Sequence, residues 1–265
     1  MEQTSPAKDR PLVTNDAFLD GALSIRQLRS GYRAGLDAVM LAAAVPGDGG
    51  RPLRVLDVGA GVGTAGLCVA RRLPSAEVVL LEKQHELAGL AAENVQHNDL
   101  AARVRVVTAD VGASAVELRA HALVDESFRH VIANPPYHDT DAGTLPPDAL
   151  KAGAHAMDEA GLDAWARFMA RMAAPGGVAT IIHKAEALGR VLAAFDQRFG
   201  AIRILPLHPR TGTLAHRVIV QGTKGSRAPQ QVLPGFILHE AGNGFTQAAQ
   251  DILRRGGALP MQAPA

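Results

Sequence analysis

The chain has 265 residues, with 27 Lys and Arg against 26 Asp and Glu and a formal net charge of +1. That length supports a full hydrophobic core without staples, and a composition 47% hydrophobic and 20% charged is that of a globular chain. The balanced charge excludes a whole-protein basic field, so a nucleic-acid partner needs a local cationic patch. The single cysteine, Cys68, excludes a disulfide framework or a cysteine zinc site, and reads as a core residue.

Residues 1–17 are polar, with Pro6 and Pro11, and read as a loose arm. Residues 23–29 alternate apolar and polar, as a half-buried strand does. Asp37 then precedes an Ala-rich apolar run that stops at Pro46, a helix with a carboxylate in its first turn. From residue 53 strands and helices alternate: strand 53–58, helix 64–73, strand 76–81, helix 85–97, strand 104–107 and strand 129–133. A Gly-, Pro- and Asp-rich loop follows over 138–156. Then come helix 162–173, strand 177–183 and helix 185–195. Strands 201–207 and 215–221 are separated by a gap too short for a helical crossover, so they pair as an antiparallel hairpin. A short strand (236–239) and a short helix (246–254) finish the chain. Alternation with short links predicts an α/β fold on a mostly parallel sheet, closed by an antiparallel strand. Three segments are expected: 1–50 as N-terminal arm, strand and lid helix, 51–223 as core, and 224–265 as a C-terminal extension packed on it.

The stretch from Val55 to Thr64 follows a strand and opens a helix, and it holds Gly59, Gly61 and Gly63. Glycines let the backbone turn sharply and approach a ligand, and the helix start behind them offers unpaired N–H groups. Glu82 ends the next strand, where a ribose diol would be held. A dinucleotide fingerprint would place its third glycine at position 64, which is threonine. Alternate glycines preceded by Asp57 instead resemble the first motif of the class I methyltransferases, which implies S-adenosyl-L-methionine as cofactor. Asp110, after the third strand, would then face the cofactor's adenine amine; a surface turn residue is the alternative.

Asn134-Pro135-Pro136-Tyr137 ends the fourth strand. Ligands of open α/β sheets bind outside the carboxyl ends of the strands. An adenine amino nitrogen is a poor nucleophile because its lone pair is delocalised into the ring. The Asn134 side-chain oxygen and the Pro135 carbonyl, held rigid by Pro136, supply acceptors for its two protons. Tyr137 offers a face on which a base stacks. Such a site needs neither a metal nor a strong general base. The ten histidines show no metal-ligand spacing; His138 and His155 flank the loop and read either as substrate contacts or, the commoner case, as solvated side chains.

The densest cationic stretch follows residue 200. Arg210, Arg217, Lys224 and Arg227 are candidates for a phosphate-binding platform beside Tyr137, with the hairpin placed next to the fourth strand. A solvated face is the alternative.

Residues 31–42, Gly-Tyr-Arg-Ala-Gly-Leu-Asp-Ala-Val-Met-Leu-Ala, resemble the N-terminal signature of the bacterial tRNA(Val) adenine-N6 methyltransferases. The Asp57–Gly63 loop and the Asn134–Tyr137 tetrad match that family's next two motifs in order. In the tail the match continues at 208–210, 224–229 and 233–235, so it covers about residues 18–259. The resemblance implies a class I methyltransferase (Rossmann-like) fold, a seven-stranded mixed sheet with an antiparallel closing hairpin and helices on both faces. It implies Arg33 and Asp37 capping the cofactor site, and N6-methylation of an adenine in tRNA next to the anticodon. DNA adenine, ribosomal RNA guanine and protein glutamine methyltransferases share the tetrad. They remain alternatives, as does a cofactor- or RNA-binding module without catalysis. The chain lacks an apolar run of about 20 residues and its first ten residues lack an apolar signal core, so no membrane partner and a cytoplasmic location are expected.

Overall fold

A computed structural model of the chain describes residues 13–29, 33–47, 49, 51–136 and 161–262. In chain order the elements are β1 (Val13–Phe18), β2 (Leu23–Leu28), α1 (Leu36–Ala43), β3 (Leu53–Val58), α2 (Thr64–Arg72), β4 (Ala76–Glu82), α3 (His85–His97), β5 (Val104–Thr108), α4 (Ala115–Ala120) and β6 (Phe128–Ala133). They continue with α5 (161–172), β7 (Ala173–Lys184), α6 (Leu188–Phe195), β8 (Phe199–His208), β9 (Arg217–Lys224), β10 (Gln231–Val232), β11 (Phe236–Ile237) and α7 (Gln247–Arg255).

The main sheet has the order β8-β9-β7-β6-β3-β4-β5. These are the seven expected strands, and two-residue β10 and β11 add along the outer edge of β8 to make nine. Strands β3 to β7 run parallel, and β9 is antiparallel to both neighbours, β7 and β8. The chain leaves β3 toward β4 and β5, then returns to lay β6 on the other side of β3. The sheet's switch point therefore lies between β3 and β6, where α/β sheets open a crevice for ligands.

Strands read as continuous apolar runs because helices cover both faces. One face carries α1, α2, α3 and α7, packed around Met40, Leu41, Leu67, Leu80 and Ile252, all buried. The other carries α4, α5 and α6 over Leu56, Phe128, Val131, Met169 and Phe195. Cys68 is a buried free thiol in the first of these cores.

Three expectations change. Residues 13–18 are a strand, β1, paired antiparallel with β2 from Val13↔Leu28 to Phe18↔Leu23, and only the part of the arm before it lies outside the described residues. Its polar residues hid it: Asp16 accepts from Gln27 Nε2 at 2.8 Å and pairs with Arg33 at 2.6 Å, so polar contacts do what apolar alternation does elsewhere. The hairpin β8–β9 does not sit beside the fourth strand, because β7 pairs with β6 on one side and β9 on the other. A short helix, α4, fills the link between β5 and β6, its start capped by Ser114 Oγ accepting from the Glu117 N–H at 3.2 Å.

Side-chain amides tether the N-terminal hairpin. Asn98 accepts from the Ser24 N–H and donates to the Ser24 carbonyl, each at 2.9 Å. One turn earlier Asn94 accepts from the Arg26 N–H at 2.8 Å and donates to the carbonyls of Arg26 and Val62. Asn94 of α3 and Asn98 at its C-cap thus pair the edge of β2 as a neighbouring strand would. At the other end of the chain α7 packs on α1, the Leu259 N–H donates to the Ala43 carbonyl, and Arg72 donates to Gly256 O and Ala42 O.

Candidate active site

The register Val58↔Ala133 ends β3 and β6 at the same level. Gly59 and Asn134 are the next residues, so the glycine loop and the Asn-Pro-Pro segment leave the sheet side by side. Asn134 is half-buried, Pro135 is buried and Pro136 is exposed. Tyr137, His138 and His155 lie outside the described residues.

Gly59, Gly61 and Gly63 have φ of +64°, +57° and +88°, in the left-handed region that disfavours side chains. Each glycine has its own surroundings. A Cβ on Gly63 would meet Leu80 at 2.8 Å, so that glycine seats α2 on the sheet. A Cβ on Gly59 would fall 2.2 Å from the Trp165 ring. Above Gly61 nothing stands within 4 Å, which leaves its backbone open to a ligand.

Two carboxylates hold this loop in shape. Glu82 is buried at the end of β4, where Oε2 accepts from the Gly61 N–H at 2.9 Å and Oε1 from the Gln84 N–H at 2.8 Å. A carboxylate has roughly four acceptor positions, so Glu82 keeps capacity for a diol beside Gly61. Asp57 is also buried, and its Oδ2 accepts from the Gly66 N–H at 2.8 Å, tying β3 to the first turn of α2. Burial pushes the Asp57 carboxyl up to about 7, against the pull of the Gly66 N–H and with a push from Glu82. Asp57 therefore shapes the loop from below and is shielded from any ligand above it. Asp110 is exposed, accepts from the Gly112 N–H at 2.7 Å, and has Lys83 Nζ at 3.9 Å. An open backbone cradle, a buried carboxylate with spare acceptor positions and an exposed acid on the next strand fit a nucleoside-bearing cofactor.

Arg33 and Asp37 have partners within the fold. The Arg33 guanidinium donates to Asp16, Thr14 and the Leu28 carbonyl, on the N-terminal hairpin. Asp37 accepts from Arg217 Nε at 2.8 Å, joining the first turn of α1 to the start of β9. Arg217 stands opposite Lys184, so this ion pair lies at the carboxyl end of the parallel strands, on the level of the site.

The four candidate phosphate-binding cations are not brought together. Arg210 lies in the β8–β9 turn and Arg217 at the start of β9, both at the site end. Lys224 ends β9, eight residues long, roughly 20 Å down the strand. There it pairs with Glu126 at 2.8 Å and donates to the Ala173 carbonyl at 2.9 Å, and Arg227 follows it. The antiparallel direction of β9 sends its two ends to opposite rims of the sheet.

Sequence reading missed Trp165 and the tethering amides Asn94 and Asn98. Trp165 is the only tryptophan in the chain, a signal that was there to find. Nothing in the sequence marks the two asparagines beyond their i, i+4 spacing on a helix. Among the described residues no group of three or more His, Cys, Asp or Glu could hold a metal, and no helix is long and apolar enough to cross a membrane.

Residues 37–161 match the family model of the methyltransferase small domain. The chain is 29% identical over 152 residues to a tRNA1(Val) (adenine(37)-N6)-methyltransferase of Bacteroides fragilis, a match spanning 57% of this chain and 59% of that protein. It is 28% identical over 213 residues to the enzyme of the same name from Bacteroides thetaiotaomicron, spanning 80% of this chain and 85% of the relative. Among solved structures, a protein of Agrobacterium tumefaciens described as a predicted O-methyltransferase superposes with a TM-score of 0.70 at 35% identity, covering 84% of this chain and 98% of that one. With the sheet order, the glycine loop and the Asn-Pro-Pro segment in place, the chain belongs to the class I S-adenosylmethionine-dependent methyltransferases.

Proposed function

We propose that the protein methylates the N6 amine of an adenine in tRNA, next to the anticodon, in the cytoplasm. The observation that carries this reading is the pairing Val58↔Ala133, which sets Asn134 and Pro135 beside the glycine loop. S-adenosylmethionine supplies, when bound, a methyl group activated by a sulfonium. Gly59, Gly61 and Gly63 with Glu82 hold it, Glu82 taking the ribose hydroxyls and Asp110 the adenine amine. Asn134 Oδ1 and the Pro135 carbonyl would accept hydrogen bonds from the two amine N–H groups, which frees the nitrogen lone pair from the ring and aims it at the methyl; the methylated nitrogen, cationic and acidic, then gives its extra proton to solvent. Tyr137 stacks on the base. Positioning then supplies much of the rate. The relatives' names supply the substrate: both Bacteroides proteins are named for adenine 37 of tRNA1(Val).

O-methylation, the activity in the Agrobacterium description, is the rival. A hydroxyl acceptor needs a base to take its proton, and neither an amide oxygen nor a peptide carbonyl is one. Mass mapping of nucleosides in tRNA from a deletion strain tests the reading. N6-methyladenosine should vanish from tRNA and return when the gene is restored. An unchanged tRNA profile, with methyl transfer by the purified protein to DNA, ribosomal RNA, a glutamine side chain or a hydroxyl, would replace it.

A further inference from the structure

Trp165 lies on α5 with the benzo edge of its indole against the first glycine of the loop. A Cβ on Gly59 would fall 2.2 Å from Cη2, 3.0 Å from Cζ3 and 3.3 Å from Cζ2. The ring packs on the apolar cluster that includes Val58 of β3 and Ala133 of β6, yet it remains only partly buried. A large aromatic left part-exposed at the carboxyl rim, touching the cofactor loop, is a surface that a ligand completes.

Its position along the sheet says which part of the ligand. Glu82, suited to the ribose, ends β4 on one side of β3. Asn134 follows β6 on the other side, and the methyl to be transferred must lie near it. Trp165 touches Gly59, which leaves β3 beside Asn134, the methyl end. That end of the methyl donor is a sulfonium cation, whereas in the product, S-adenosylhomocysteine, it is a neutral thioether. An aromatic ring attracts a cation held within about 6 Å of its centroid.

We propose that Trp165 forms the wall of the cofactor site at its sulfonium end and favours the charged methyl donor over the neutral product. This rests on the S-adenosylmethionine assignment. The test needs no turnover. With one tryptophan in the chain, emission reports on this ring alone. The full chain is titrated with S-adenosylmethionine and with S-adenosylhomocysteine, by calorimetry and by emission in parallel. Emission should change and saturate at the calorimetric Kd. W165L should weaken the donor about tenfold and the product about twofold or less, and W165F should recover most of the loss. W165M, which fills space without a ring, serves the same comparison should W165L fail to fold. Binding by the parent with unchanged emission, or a ring-less variant that weakens both ligands alike or neither, overturns the proposal. A parent that binds neither ligand overturns the cofactor assignment itself, which is a separate outcome.

Discussion

If Asn134 holds the acceptor amine, as proposed, its oxygen acts on charge that develops only as the methyl moves. Asn134→Ala should then cut turnover about 100-fold while the cofactor Kd stays within about twofold. Single-turnover rates and calorimetry on one preparation separate the two, and equal losses in both would place Asn134 in binding instead. His130 raises a different question at the same scale. It sits in mid-strand, 2% exposed, with Nδ1 unpartnered among the described residues. Burial, then the charge of Arg129, hold its pKa down at about 3 from 6.5. Between those values the unfolded chain binds a proton that the folded chain refuses, so stability is lost as pH falls below 6.5. Asp57 works oppositely, since its raised pKa lets the folded chain take a proton between pH 7 and 4 that the unfolded chain does not. The parent's net slope mixes the two, so the variant comparison is the informative one. His130→Leu should lose about 2 kcal/mol less than the parent between pH 7 and pH 5, read from urea midpoints at each pH.

Between elements, the tether of β2 to α3 has no backbone component among the described bonds of that edge. Asn94 and Asn98 satisfy the N–H and C=O of Arg26 and Ser24, and Asn94 also holds the Val62 carbonyl next to the glycine loop. A buried backbone group stripped of its partner costs about 1–3 kcal/mol. Asn94→Ala should therefore cost about that much stability and raise exchange at the Arg26 amide. It should also loosen the loop at Val62. Asn98→Ala should raise exchange at Ser24 and spare the loop. Equal protection of both amides in both variants would mean that the hairpin is held by its packing alone.

For the whole molecule, the direction of β9 decides what its charges can reach. Arg210 and Arg217 share the rim with Asn134, while Lys224 lies at the opposite rim and is tied to Glu126 and Ala173. A tRNA engaged at the site should feel the first rim. Arg210→Ala should lower the salt slope of tRNA binding by about one unit and leave cofactor binding alone. Lys224→Ala should leave the slope unchanged and cost about 1–2 kcal/mol of stability, since Lys224 is only 21% exposed and its ammonium also holds the Ala173 carbonyl. Filter binding across salt concentrations distinguishes them. A fall in slope from Lys224→Ala would mean that the RNA wraps to the far side of the sheet.

Local pattern was enough to locate the strands from β3 to β9, because each is an apolar run bounded by turn residues, and enough to mark the loop at Gly59–Gly63 and the segment at Asn134. Those motifs are contiguous in sequence, and glycine or proline at a strand end has a backbone meaning that holds in any context. Strand β1 stayed hidden because its partners, Gln27 and Arg33, meet Asp16 only after the hairpin closes. The cationic stretch after residue 200 is one patch along the chain but not in space, because an antiparallel strand carries its two ends to opposite rims. The contact of Trp165 with Gly59 joins residues more than a hundred positions apart, across a helix face and a strand end. Only the packing of α5 on the sheet could make it, since side-chain contacts between elements follow from the order in which strands are laid and not from the spacing of residues along the chain.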